Sequence, residues 1–92
     1  MANRNLRVLL IEDDPVASGL FQAQIASDFT SRFETVVADT LGKALDEIAR
    51  DRFDVAALDL ILPDARGLDA LDRLRQAAED LPVVVLTGLD DE

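Results

Sequence analysis

Residues 7–15 read RVLLIEDDP, an apolar run that ends in three consecutive acids and a proline. The run is continuous rather than alternating, which is how a strand covered on both faces reads. Driving such a strand into Glu12, Asp13 and Asp14 sets like charges side by side, where each pushes up the pKa of the next. A nearby cation would compensate them.

The same texture recurs downstream. DVAALDLIL (54–62) and PVVVLTG (82–88) are continuous apolar runs, and ETVVAD (34–39) is a shorter one. Helical periodicity fills the gaps. Asp14 is placed to cap a helix with Pro15 in its first turn and Ala17, Leu20, Phe21 and Ile25 at helical spacing. Thr40 is placed to cap a second helix with Leu41, Ala44, Leu45 and Ile48 on one face. Leu68, Leu71 and Leu74 mark a third stripe, read as core, that ends before Pro82. The order βαβαβαβ predicts an α/β domain, a parallel sheet flanked by helices with right-handed crossovers. No internal repeat, low-complexity segment or linker interrupts it.

Composition narrows the chemistry. At 92 residues with 49% apolar side chains the chain suits one small domain with a packed core and a thin stability margin. It contains no Cys and no His, which removes disulfides, thiolate nucleophiles, imidazole bases and phosphohistidine together. Nineteen acids against nine bases give a formal charge of −10, a poor balance for neutralising nucleic-acid phosphates. No apolar run approaches the length of a membrane span. A cytoplasmic protein that binds neither nucleic acid nor membrane is the expectation.

In open parallel sheets, functional residues gather beyond the carboxyl ends of the strands, where the strand order reverses. Glu12 and Asp13 end the first strand, Asp59 lies near the end of the third, and Thr87 and Gly88 end the fourth. If the first and third strands are neighbours, the carboxylates of Glu12, Asp13 and Asp59 meet; spacing alone leaves that adjacency open. An unpaired acid within AALDLIL is costly to bury and points to a task. Asp64, Asp69 and Asp72 read as a solvated face and helix-start charges.

The segments VLLIEDDP, FDVAALDLILPDARGLDAL and PVVVLTG, in this order and spacing, resemble the receiver domain of bacterial response regulators, the CheY-like phosphoacceptor module. The resemblance covers the whole chain and implies a flavodoxin-like (CheY-like) doubly wound sheet with strand order 2-1-3-4. It also implies that Asp59 accepts a phosphoryl group from a phosphohistidine on a histidine kinase or histidine phosphotransfer protein. By the same resemblance Asp13 and Asp59 ligate Mg²⁺ (or Mn²⁺), Glu12 acts through a metal-bound water, and Ile61 offers its backbone carbonyl. Thr87 would be the switch hydroxyl and Gly88 the residue whose amide approaches the phosphoryl oxygens. Pro63 and Gly67 match the loop after the phosphoacceptor, where Pro sets φ and Gly permits a positive one.

The family also carries a lysine and an aromatic switch residue on a fifth strand, followed by a last helix. None of these is in the 92 residues, and Lys43, the sole lysine, falls in the second predicted helix. LDDE (89–92) looks like the capped first turn of a further helix, so residues 1–92 are expected to be a single receiver domain incomplete at its C-terminus, with an output domain outside the chain. An apolar strand left at the sheet edge would then favour self-association. Two other readings are a non-phosphorylated receiver serving as an interaction module and a metal-dependent phosphoesterase on another α/β fold. Against the latter, the chain lacks a DxD pair at a strand end and basic residues for a polyanionic substrate.

Overall fold

Continuous apolar runs become strands here, and capped periodic segments become helices. The computed structural model describes residues 6–28 and 33–86. In chain order these form β1 (Leu6–Ile11), α1 (Pro15–Asp28), β2 (Phe33–Ala38), α2 (Leu41–Arg50), β3 (Val55–Asp59), α3 (Leu68–Ala77) and β4 (Val83–Leu86). The four strands make one sheet in the order β2-β1-β3-β4, with every pair parallel.

This order follows from two crossovers that step in opposite directions from the centre. A crossover of fixed hand must then place its helix on opposite sheet faces. α2 and α3 cover one face, where Leu9, Ile11, Ala38, Ala56 and Leu58 meet Leu41, Ala44, Ala70 and Leu74 in a buried core. Each leucine buried there contributes about 2 kcal/mol by removal from water. α1 covers the other face, where Phe21 and Ile25 line an apolar groove with Val8, Val55, Ala57 and Val84. The sheet is doubly wound, as the resemblance implies.

The caps fall where the residue types place them. The Asp14 carboxylate accepts from Val16 N–H at 2.9 Å, and the Thr40 hydroxyl accepts from Lys43 N–H at 3.0 Å. Two apolar assignments need correction. Leu20 and Leu68 share the spacing of their helical stripes, yet they are 67% and 68% exposed. Ser18 of α1 and Ala70 of α3 are buried instead, so each stripe is rotated toward its smaller members. β3 also ends earlier than the apolar run: Leu60 to Leu62 leave the strand and enter the loop before α3.

At the amino end of the sheet, Arg7 ties three segments together. Its guanidinium lies 3.0 Å from Glu34 and 2.8 Å from Asp51, and stacks over the Phe53 ring at 4.8 Å. The opposite, carboxyl end of the sheet is left to the acids.

Candidate functional site

The β1–β3 pairing decides the site. Its register runs from Val8 opposite Val55 to Ile11 opposite Leu58, so the next step of each strand sets Glu12 level with Asp59. Glu12 N–H donates to the Ala38 carbonyl at 3.0 Å, which holds the end of β1 against β2 as well. Asp13 follows at the bend into α1. Carboxylate oxygens of Glu12, Asp13 and Asp59 thereby come within 4.8 Å of one another. Together with Ile61 and Leu86 they line an open cleft of about 480 Å³ at the carboxyl edge of the sheet.

Asp14 does not join this trio, because its carboxylate caps α1. Its amide serves the site instead, donating to Glu12 Oε2 at 3.2 Å. Partial burial pushes the Glu12 carboxyl up; the Asp14 amide offsets part of that rise, and Asp59 and Asp13 add to it. Among the described residues, the ion pairs lie elsewhere: Arg7 with Glu34 and Asp51, Lys43 with Asp39, Arg50 with Glu47, Arg73 with Asp69. Lys43 sits 3.0 Å from Asp39 and is engaged there. The three acids thus form an oxygen-only donor set that fits a hard divalent cation such as Mg²⁺ or Mn²⁺.

The loop joining β3 to α3 shapes the other side of the cleft. Ile61 N–H donates to Asp59 Oδ1 at 3.1 Å, which sets the Ile61 main chain beside that carboxylate. Gly67 N–H donates to the Leu60 carbonyl at 2.6 Å, and Leu62 N–H to the Ala65 carbonyl at 3.0 Å, so the loop closes on itself. Gly67 enters α3 with φ 60 and ψ −142, a backbone state open in practice only to glycine. Thr87 and Gly88 lie outside the described residues. One engaged acid escaped the sequence reading: Asp64 is not merely a solvated charge, since its carboxylate accepts from the amides of Leu41 and Gly42. No local pattern announces a cap supplied from 22 residues away.

A parallel sheet in this order with an acidic trio at its switch point defines a class of signalling domain. The response regulator receiver domain family matches residues 8–92, and the chain belongs to it. The probable transcriptional regulatory protein TcrX of Mycobacterium tuberculosis is 37% identical over 86 residues, covering 90% of this chain and 34% of TcrX. The chain spans about a third of the length of the curated relatives it matches. The non-phosphorylated receiver domain of HemR from Leptospira biflexa superposes with a TM-score of 0.75 at 28% identity, over 96% of this chain and 68% of that one. TrrA of Thermotoga maritima, solved in complex with Mg²⁺–BeF, shares the fold with a TM-score of 0.79 at 22% identity, over 92% of this chain and 71% of its own. Membership in this family sets aside the other α/β fold on which the phosphoesterase alternative rested. Among the described residues, no helix is long and apolar enough to cross a membrane.

Proposed function

We propose that this receiver domain accepts a phosphoryl group on Asp59 from the phosphohistidine of a histidine kinase or phosphotransfer protein, in the cytoplasm. The supporting observation is the meeting of Glu12, Asp13 and Asp59 within 4.8 Å at the edge where β1 and β3 end. Asp13 and Asp59 would hold Mg²⁺ directly, Glu12 through a water, and Ile61 through its carbonyl. When bound, the cation neutralises charge on the phosphoryl oxygens. The Asp59 carboxylate forms the new P–O bond while the P–N bond of the donor breaks, and the imidazole leaves with the electron pair. Thr87 supplies the hydroxyl and Gly88 the amide that answer the new charge, and an output domain reads the change.

Two measurements test this reading. Isothermal titration should detect Mg²⁺ binding that Asp13→Asn abolishes, and equal binding by both forms would move the cation elsewhere. Acetyl phosphate with Mg²⁺ should add one phosphoryl group by intact mass, faster when the chain is joined to a fifth strand bearing the family's lysine. Modification that persists in Asp59→Asn overturns the assignment of the acceptor.

A further inference from the structure

The loop that follows Asp59 is secured at its base and along its sides by its own hydrogen bonds and by two buried side chains, Leu62 and Ala65. Its tip, Pro63 and Asp64, is exposed. Among the described residues the tip's hydrogen bonds to another element run through one side chain. Asp64 Oδ1 accepts from Leu41 N–H at 2.8 Å and Oδ2 from Gly42 N–H at 2.9 Å.

These two amides open α2, where no intrahelical carbonyl can reach them. Thr40 takes the third amide, that of Lys43, and its carbonyl takes the fourth, that of Ala44. The first turn is therefore satisfied by a division of labour: a local cap for one amide and a cap from the loop for two. Both bonds to Asp64 are charge-assisted and end on a helix N-terminus, which favours an anion. The backbone amides of α2 also draw the Asp64 carboxyl below its usual range, Gly42 most and Leu41 next.

We propose that Asp64 is a positioning residue of the phosphoacceptor loop: by tying the loop's tip to the first turn of α2, it holds the Ile61 main chain at the working distance from Asp59. The proposal rests on the phosphoacceptor reading above. Untethered, the exposed tip gains freedom, and the metal-binding carbonyl assigned to Ile61 loses its preset position. An asparagine keeps one acceptor oxygen and no charge, so it restores the tether in part; an alanine restores nothing.

The test compares Asp64→Ala, Asp64→Asn and Thr40→Ala in the whole chain, by Mg²⁺ titration and by backbone amide order from NMR relaxation. Thr40→Ala removes a cap from the same helix end without touching the loop. Asp64→Ala should weaken Mg²⁺ binding by less than about tenfold, the low end of the cost when a group bonded directly to a metal ligand is lost, because Asp64 acts at one remove through the loop. Asp64→Asn should fall between it and the wild type, and Thr40→Ala should leave the affinity at the wild-type value, since the Thr40 hydroxyl bonds an amide of its own helix. Amide order at residues 61–66 should drop in Asp64→Ala and hold in Thr40→Ala. Equal Mg²⁺ affinity for wild type and Asp64→Ala, or equal loss in Asp64→Ala and Thr40→Ala, overturns the positioning role. Unchanged loop order in Asp64→Ala overturns the tether itself. A wild type that binds no Mg²⁺ while the loop order still depends on Asp64 would instead defeat the phosphoacceptor reading and leave the tether standing.

Discussion

Two carboxylates at this end of the sheet respond to pH with opposite sign. The Glu12 carboxyl is pushed up by burial and by its acidic neighbours, so the folded chain holds that proton more tightly than the unfolded one. Its contribution is most favourable below the unfolded carboxylate range and is lost as pH rises through the shifted value. Removing a neighbouring charge should therefore stabilise the metal-free fold: two unit charges 4 Å apart in water repel by about 1 kcal/mol. Asp59→Asn should raise the melting temperature without Mg²⁺, while Mg²⁺ at ten times its Kd should stabilise only the wild type, by about 1.4 kcal/mol. Calorimetry with and without the cation checks both. Asp64 behaves the other way, because its amide partners draw the carboxyl down. Its contribution is full above the unfolded pKa and disappears as pH falls through the lowered folded value. The stability gap between wild type and Asp64→Ala should be about 1 kcal/mol near pH 7, the usual size of a helix cap, and should narrow in melts as pH falls below the ordinary carboxylate range. A gap that does not change with pH would mean the charge of the carboxylate is not what α2 depends on.

Among the elements, α1 is the weakest by sequence. It carries Gly19 in its interior, and beyond the capping Asp14 no acid in its first turn and no base in its last complements its dipole. A Cβ at Gly19 would meet nothing within 4 Å. Gly19→Ala should therefore stabilise the fold by about 1 kcal/mol through backbone entropy and helix propensity. For a domain of this size that is a rise of about 4–8 °C in melting temperature. A fall would mean that α1 needs the glycine for an approach by some other surface. α2 is better specified, with Thr40 at its N-cap, Lys43 paired to Asp39 and Arg50 in its last turn paired to Glu47. That stiffness makes α2 a suitable anchor for the loop tip.

Across the whole molecule, the two sheet faces are unequally covered. The α2–α3 face is closed over a continuous core, whereas the α1 face keeps an apolar groove beside β4, with Val84 53% exposed. Among the described residues β4 pairs on one side only. Both features favour association with a second copy, and the net charge of −10 opposes it. At physiological ionic strength the Debye length is about 8 Å, so repulsion between copies is screened while short-range apolar contact is not. The 92-residue chain should self-associate, more strongly at higher salt, and Val84→Lys should weaken this. Sedimentation across concentration at two ionic strengths measures it; a strict monomer at both would show that α1 and the charge suffice to protect this face.

The strands, their parallel class and the caps at Asp14 and Thr40 were legible in the chain because each depends on neighbours a few residues away. Continuous apolar runs mark strands buried on both faces, and an N-cap residue serves an amide only two or three positions along the chain, as Asp14 and Thr40 do. The acids could be singled out for the same reason, since three like charges after a strand conflict locally whatever the fold. Their meeting could not be read from spacing: it required β1 beside β3, a pairing between segments far apart in sequence that only the folded sheet provides. Nor could periodicity show that Leu20 and Leu68 face outward, because helix rotation is chosen by the volumes that fit against the sheet. Asp64 is the clearest case. Its neighbours Pro63 and Gly67 set it in a loop but say nothing of a partner, and only the folding of the β3–α3 loop against α2 gives its carboxylate two amides to hold.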